Sequence, residues 1–324
     1  MSHRRGFQPE PLAPLEGRIV MKASAAAATL GNVGVLGDSY SDEYQFYPKD
    51  RYHARNWVEI LAATKKAGFG TLSKASRGEP RNQGYEYDWA RSDATSVNMV
   101  ANQLPGLTAQ VAAGKIKYVS IFVGGNDFLD YFRSLAATAT TNPPTADQVQ
   151  SSVAALQAQA TANVTTAVGT LLAANPNVKV VVTTIPSLAF TPIVRQGVAA
   201  LPEAAGVVAA ADAAIANFNA SIKLLASANP RVAVSDLAAT ANAAAASTVL
   251  PYGGTTVNLT TTSNAYQSFF LADGLHVGTI GQGVIANGFI QAVDTTFGAR
   301  VSLINPTQIV SLARQFQNQT RRLP

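Results

Sequence analysis

The chain has 324 residues, of which 47% are hydrophobic and 13% are charged. This composition provides a folded core and excludes an intrinsically disordered chain. Because the sequence contains no cysteine, it has no disulfide framework, no thiol nucleophile and no cysteine-ligated metal. No apolar run reaches the roughly 18 residues that predict a membrane span. We therefore expect a soluble globular protein with no membrane span.

The net charge of +5 is concentrated at the two ends of the chain. Residues 1–30 carry a net charge of +2, and residues 314–324 carry +3, so the body is close to neutral. The body also lacks a basic stripe with interleaved aromatic residues. We therefore expect no nucleic-acid partner.

Strand and helix patterns alternate along the chain from Val33 onward. Short apolar or β-branched runs predict strands, and a spacing of three to four residues between apolar positions predicts helices. In chain order, the first half contains strand 33–36, helix 56–67, a short strand 85–89, helix 98–113, strand 118–123 and helix 128–135. The second half contains helix 146–174, strand 178–184, a loop over 186–202, helix 204–228, strand 232–234, helix 278–296 and a terminal helix 306–316. Residues 247–272, rich in Thr and Asn, predict loops or a small hairpin.

This alternation predicts an α/β fold with about five parallel strands and helices on both faces of the sheet. No change of composition divides residues 31–324, so we expect one domain there. Ligands of such sheets bind at the carboxyl ends of the strands. Three groups of reactive residues are expected at those ends.

The first group is the turn Gly37-Asp38-Ser39, which directly follows the first predicted strand. A serine hydroxyl becomes an effective nucleophile when a neighbouring base takes its proton. A turn at a helix N-terminus would also supply backbone N–H groups that stabilise negative charge. Taken alone, Gly-Asp-Ser is also a common structural turn.

The second and third groups follow later elements. Asn126, in the string Gly-Gly-Asn-Asp after strand 118–123, can donate to an oxyanion or simply cap a helix. His276 follows Asp273 by three residues, with a glycine between them, so the carboxylate can bend back to the imidazole ring and hold it as a base. The other two histidines, His3 and His53, have no comparable context.

Together these strings resemble the SGNH, or GDSL-type, hydrolase family over most of residues 31–298. GDSYSD resembles the nucleophile block of that family, GGND its asparagine block and DGLHVGTIGQG its Asp/His block. The resemblance implies a flavodoxin-like α/β/α sandwich that cleaves carboxylic esters. It implies Ser39 as nucleophile, His276 as general base and then acid, and Asp273 as the residue that orients His276.

The resemblance further implies an oxyanion hole formed by the Ser39 backbone N–H, the Asn126 side chain and one N–H from a glycine block. In YDWARSDATS, which resembles that block, Asp93 occupies the expected glycine position. A backbone N–H survives this change, but a carboxylate beside an oxyanion is unfavourable unless it points to solvent or is protonated. Gly84 is a second candidate donor whose sequence context fits less well.

Other acidic residues, Asp38, Asp42, Glu43 and Asp127, fit no cation-binding loop. We therefore expect no metal and no cofactor. The expected partner is a small-molecule or polymeric ester, and the lack of a large apolar lid segment favours short or soluble acyl groups. The aromatic residues at 40–47 either line an acyl pocket or pack beneath the loop.

Two other functions remain open: an inactive or weak SGNH-fold binding module, suggested by Asp93, and acyl transfer to an alcohol. The string EPLAPLEGR at 10–18 resembles an N-terminal sorting segment of exported bacterial proteins. Residues 1–30 are therefore either a leader that directs export or a disordered tail, and a cytoplasmic location stays open.

Overall fold

The computed structural model describes residues 28–47, 51–74, 83–138, 144–202 and 204–318. Nearly all of the expected leader, residues 1–27, lies outside the described residues. The strands are β1 (Val33–Gly37), β2 (Leu72–Ser73), β3 (Gly84–Tyr85), β4 (Tyr118–Phe122), β5 (Lys179–Thr183), β6 (Val232–Ser235), β7 (Val249–Tyr252), β8 (Thr255–Thr262) and β9 (Ser268–Phe270). The helices are α1 (Trp57–Ala63), α2 (Ser96–Asn98), α3 (Leu104–Ala112), α4 (Gly125–Thr138), α5 (Ala146–Ala174), α6 (Pro192–Ala200), α7 (Ala204–Ser227), α8 (Leu237–Ala245), α9 (Thr279–Phe297) and α10 (Pro306–Gln317).

The central sheet contains four parallel strands in the order β1-β4-β5-β6. These strands are almost wholly buried, as expected of a parallel sheet that is covered on both faces. The fifth strand, predicted at 85–89, is reduced to a bridge between Asp88 and Val35 on the free edge of β1. Val35 donates to the Tyr87 carbonyl and accepts from the Trp89 N–H, both at 2.9 Å. Counting this segment, the order is 2-1-3-4-5, the flavodoxin-like order.

Helices cover both faces of the sheet, which confirms the predicted three-layer α/β/α architecture. On one face, α3, α4, α5 and α7 contribute buried side chains such as Val168 and Phe218. On the other face, α1, α9 and α10 contribute buried side chains such as Trp57 and Phe289. The two faces of the sheet separate these apolar clusters, so each helical layer has its own core.

Within the described part of the chain, α7 is the one helix whose length and composition would allow it to cross a membrane. It packs against α5, and Val208, Phe218 and Ile222 are buried in the core. This burial is typical of a core helix.

Two regions differ from the sequence prediction. The loop predicted over 186–202 contains a short 3₁₀ turn and α6, because Pro192 occupies the first position of a helix, where its fixed backbone angle is favourable. Helix α8 was not predicted, and it begins where the Asp236 side chain accepts from the Ala239 N–H. For residues 247–272, the hairpin alternative is the one observed: β7 and β8 pair antiparallel across Gly253 and Gly254, both with positive φ.

The helix predicted over 98–113 is interrupted by a π-helical turn at Met99–Gln103, between α2 and α3. In this turn the Leu104 N–H donates to the Met99 carbonyl, and Pro105, two positions into α3, has no N–H to continue a regular ladder. Gln103, at the end of the wide turn, is buried beside β1. Its Oε1 accepts from the Gly37 N–H and its Nε2 donates to the Gly37 carbonyl, both at 2.9 Å.

Replacing Gln103 by leucine leaves the buried Gly37 N–H without its partner, while the Gly37 carbonyl keeps the Arg91 N–H at 3.2 Å. A buried backbone group left unpaired costs roughly 1–3 kcal/mol, so we expect Gln103→Leu to lower the free energy of unfolding by about 1–3 kcal/mol. Urea unfolding measures this value. The neighbouring Asn102 is exposed, and Asn102→Leu should change the stability by less than about 0.5 kcal/mol. Equal effects of the two substitutions would contradict the assignment.

Candidate active site

The Ser39 turn and the string that contains Asn126 follow two paired strands, which end at the same level of the sheet. Gly37, the last residue of β1, is paired with Phe122, the last residue of β4. Ser39 follows the first of these strands, and Asn126 lies in the first turn of α4 after the second. Both side chains border one cavity at the carboxyl edge of the sheet, where ligands of this fold class bind.

Ser39 lies in a tight turn that Asp38 holds together. The Asp38 carbonyl accepts from the N–H groups of Ser41 and Asp42 at 3.0 Å, and its side chain accepts from the Tyr40 N–H at 3.0 Å. Ser39 itself is 6% exposed. Among the described residues, neither its N–H nor its hydroxyl has a hydrogen-bond partner, so both groups are available to a ligand.

The turn of Ser39 is not at the N-terminus of an α-helix. The next helical element is a 3₁₀ turn of three residues, Tyr44–Phe46. The N–H groups of Tyr44 and Gln45 donate to the carboxylate of Glu59 in α1, at 3.0 and 3.3 Å. A side chain from another element therefore satisfies these N–H groups, and no long helix follows the turn. Any backbone stabilisation of charge at Ser39 comes from the turn itself.

A buried polar network fixes the turn to the loop that precedes α2. The carboxylate of Asp42 accepts from the Ser92 N–H at 2.7 Å and from the Tyr47 hydroxyl. Arg51 donates to the Ser92 hydroxyl at 2.7 Å and to the Ser39 carbonyl at 3.3 Å. The Arg51 guanidinium also lies 3.7 Å from the centre of the Tyr47 ring. The nucleophile turn and the Ser92 loop therefore form one rigid unit.

Asp273 and His276 are joined as the spacing predicts. His276 Nδ1 lies 2.6 Å from Asp273 Oδ2, while Asp273 Oδ1 accepts from the N–H groups of Leu275 and His276 at 2.9 Å. Gly274 between them has φ +69°, a left-handed conformation that favours glycine. Burial opposes the ionisation of Asp273, but the hydrogen bond and charge of His276 and the two N–H groups outweigh burial and lower its pKa.

An ionised carboxylate can only accept hydrogen bonds, so His276 Nδ1 carries the proton. When the ring is neutral, the other ring nitrogen, Nε2, is the acceptor. It is buried and has no hydrogen-bond partner in the described structure. The Tyr40 hydroxyl donates to the Leu275 carbonyl at 2.8 Å, and its ring centre lies 5.9 Å from that of His276. The histidine loop is thus tied to the residue that follows Ser39.

Asn126 is 7% exposed and faces the loop that contains Asp93. Its Nδ2 donates to the Ala94 carbonyl at 3.1 Å, which leaves its second amide hydrogen available. The next residue, Asp127, accepts from the N–H and hydroxyl of Ser96 at 2.9 and 2.6 Å. These bonds hold the start of α2 against α4 and place residues 93–94 beside Asn126.

Asp93, which replaces the glycine expected from the family pattern, has φ +63°. This is the left-handed conformation that glycine adopts at little cost and that aspartate tolerates. Its side chain is exposed, it does not line the cavity of Ser39 and Asn126, and its N–H has no partner among the described residues. The alternative donor Gly84 packs against the Glu43 carboxylate instead. Of the two candidates, Asp93 is the one in the loop beside Asn126.

The protonation state of Asp38 determines the charge next to Ser39. Burial raises the pKa of Asp38 to about 7, with smaller upward contributions from the charges of Asp127 and Asp93, against the N–H of Tyr40 and the charge of Arg51. Near neutral pH this carboxyl is therefore partly protonated. Its protonation lowers the negative charge next to Ser39, which favours an oxyanion there.

The acidic residues considered for a metal have other partners. Asp42 and Asp127 accept the hydrogen bonds described above, and Glu43 Oε1 accepts from the Tyr85 N–H at 2.5 Å. Within the described ranges, no three His, Asp or Glu side chains converge on a point that could hold a metal ion. Of the aromatic residues near Ser39, Tyr40 lines the cavity, whereas Tyr44 is fully buried beneath the loop.

Sequence reasoning missed the residues that position the site. Gln103 and Arg51 act on the backbone of Gly37 and Ser39 rather than on a ligand, so no reactive motif marks them. For Gln103 one signal was present: Pro105 lies inside an otherwise helical stretch and indicates an irregular turn.

The chain is similar to one known protein family and to several solved structures. The profile of the family described as GDSL-like Lipase/Acylhydrolase matches residues 33–289. A search of curated proteins found no match. Similar solved structures include the lipase Lip_vut3 from a goat rumen metagenome, with 14% identity, a TM-score of 0.49, and coverage of 82% of this chain and 97% of that chain. Phospholipase A1 from Streptomyces albidoflavus NA297 has 18% identity, a TM-score of 0.46, and coverage of 84% and 100%.

The matched segment begins at the first residue of β1 and ends inside α9. It includes the turn of Ser39, the first turn of α4 with Asn126, and the Asp273–His276 loop, and it spans well over half of the chain. The protein therefore belongs to the GDSL-like lipase/acylhydrolase family.

Proposed function

We propose that this serine ester hydrolase cleaves carboxylic esters through an acyl-enzyme on Ser39. The observation that carries the proposal is the geometry of His276: Nδ1 is held by Asp273, while Nε2 is buried and has no hydrogen-bond partner among the described residues. A base in this state accepts the proton of a neighbouring hydroxyl. We assign this role to the Ser39 hydroxyl, because the turn that carries it is tied to the histidine loop through the Tyr40–Leu275 hydrogen bond.

In the first half of the reaction, His276 Nε2 takes the proton as Ser39 Oγ bonds to the ester carbonyl carbon. The electron pair of the carbonyl π bond moves to its oxygen. The N–H groups of Ser39 and Asp93 and the free amide hydrogen of Asn126 would stabilise this oxyanion. The intermediate collapses when the bond to the alcohol oxygen breaks, and His276 returns its proton to the leaving alcohol.

In the second half, water replaces the alcohol. His276 takes a proton from water as the water oxygen bonds to the acyl carbon, and a second tetrahedral intermediate forms. When the bond to Ser39 Oγ breaks, the carboxylic acid leaves and the serine recovers its proton from His276. Asp273 stabilises the imidazolium in both halves, because its lowered pKa keeps it ionised.

Substituting the nucleophile tests this proposal directly. We expect wild type to hydrolyse p-nitrophenyl acetate and butyrate, and Ser39→Ala and His276→Ala each to lower kcat by at least about 10³-fold, because loss of either residue disables the same step. Release of p-nitrophenolate measures the rate, and circular dichroism verifies folding. Ser41→Ala, two residues away on the same turn, is the control for disturbance of the loop. A folded Ser39→Ala variant with the wild-type rate would contradict the proposal.

Asp93 is expected to lower turnover. Its charge lies in the loop that would supply an oxyanion donor, and its exposed side chain is outside the cavity, so we expect a modest effect. We expect Asp93→Gly to raise kcat/KM for p-nitrophenyl butyrate by about two- to tenfold, on the scale of roughly 1.4 kcal/mol per tenfold change. Asp93→Asn tests the charge alone, since it removes the charge and keeps the side-chain size. Unchanged or reduced kcat/KM in Asp93→Gly would show that the residue does not impair catalysis.

A further inference from the structure

The cavity that contains Ser39 and Asn126 extends away from them between α8, α9 and the β7–β9 sheet. Its volume is about 120 Å³. Beyond the two polar residues, its walls are mainly apolar, formed by side chains such as Ile185, Leu188 and Phe269. An ester bound with its carbonyl carbon at Ser39 would therefore place one of its two substituents along an apolar channel.

The far wall of the channel is one face of α8. The lining residues Leu237, Thr240, Ala241 and Ala244 recur with the spacing of a single helical face. Two of them are alanines, so the helix leaves space between its backbone and the opposite wall. Larger side chains at these positions would fill part of the channel.

The apolar channel has a limit. Leu237, Thr240, Val284 and Ile285 border both this cavity and an adjoining one of about 330 Å³. The adjoining cavity contains polar groups, among them Ser235, Asp236 and Gln291. Burying a hydrocarbon chain in the apolar channel lowers the free energy of binding. Burying it among the polar groups of the adjoining cavity lowers that free energy less.

We propose that the substrate carries an unbranched acyl chain of medium length, about eight carbons, and that Ala241 and Ala244 admit it. The inference rests on the proposed function and specifies its substrate class. The cavity of about 120 Å³ is several times the roughly 10–15 Å³ that one water-sized group needs, so it holds an acyl group well beyond acetyl in size. The substrate series below tests the length of eight carbons.

A medium-length chain is longer than the short acyl groups that the sequence favours. The sequence contains no large apolar lid segment, but α8, which has no clear signal in the sequence, forms one wall of the channel. An acetyl group would leave most of the apolar wall without contacts. Each further methylene buried in the channel improves transition-state binding by about fourfold.

The test compares p-nitrophenyl acetate, butyrate, octanoate, laurate and palmitate with wild type and with variants of α8. We expect kcat/KM to be highest for octanoate, at least about tenfold above butyrate. Ala241→Phe should lower the ratio of octanoate to acetate kcat/KM by at least about tenfold. The matched control is Ala243→Phe on the exposed face of the same helix, which should leave that ratio unchanged. Thermal unfolding by circular dichroism verifies that both variants fold.

A second variant makes the test independent of Ala241. Leu237→Ala opens the boundary between the two cavities and should shift the optimum from octanoate towards laurate.

Octyl acetate and ethyl octanoate then distinguish the two sides of the ester, and ethyl octanoate should be the better substrate. Hydrolysis of acetate with no gain at octanoate, an equal response of the two phenylalanine variants, or a preference for octyl acetate would overturn the inference and leave the proposed function intact. Failure to cleave any ester would instead overturn the proposed function.

Discussion

The pair of hydrogen bonds between the Gln103 side chain and the Gly37 peptide fixes the end of β1, and the nucleophile turn begins there. On one side, β1 is paired with β4 along its whole length. On its other side, the segment around Asp88 bonds to Val35, and the Arg91 N–H donates to the Gly37 carbonyl at 3.2 Å. Gln103 adds an acceptor for the Gly37 N–H and a second donor to the Gly37 carbonyl at the last residue of the strand. The orientation of Asp38 and Ser39 depends on this peptide.

From this fixed point, the site is assembled by bonds between loops rather than by one motif. Arg51 and Asp42 connect the Ser39 turn to the Ser92 loop, and Tyr40 connects it to the carbonyl of Leu275. Buried polar groups that are mutually satisfied specify a single geometry, because any rearrangement leaves one of them without a partner. The serine, the histidine loop and the asparagine helix are thus held together before any ligand binds.

The sequence predicted the parts of this molecule that depend on local pattern. The buried β-branched strands and the long helices α5, α7 and α9 were predicted to within two residues, because apolar periodicity alone defines them. Ser39 and Asn126 were also predicted at strand ends, and they border one cavity. Helices α6 and α8 were not predicted. They contain alanine and proline, and tertiary contacts decide how such segments fold and pack. The contacts of Gln103 and Arg51 could not be predicted, since they join residues more than ten positions apart.

The π-helical turn at Met99–Gln103 adds a mechanical consequence to this picture. The helical stretch that contains it is held at Ser96 by Asp127, next to Asn126, and at Gln103 by Gly37, two residues before Ser39. An α-helix advances 1.5 Å and turns by 100° for each residue, whereas a π turn accommodates one extra residue in a single turn. The π turn therefore sets the distance and the rotation about the helix axis between Ser96 and Gln103. The distance between Asn126 and Ser39 therefore depends on the geometry of a helix that lies outside the cavity.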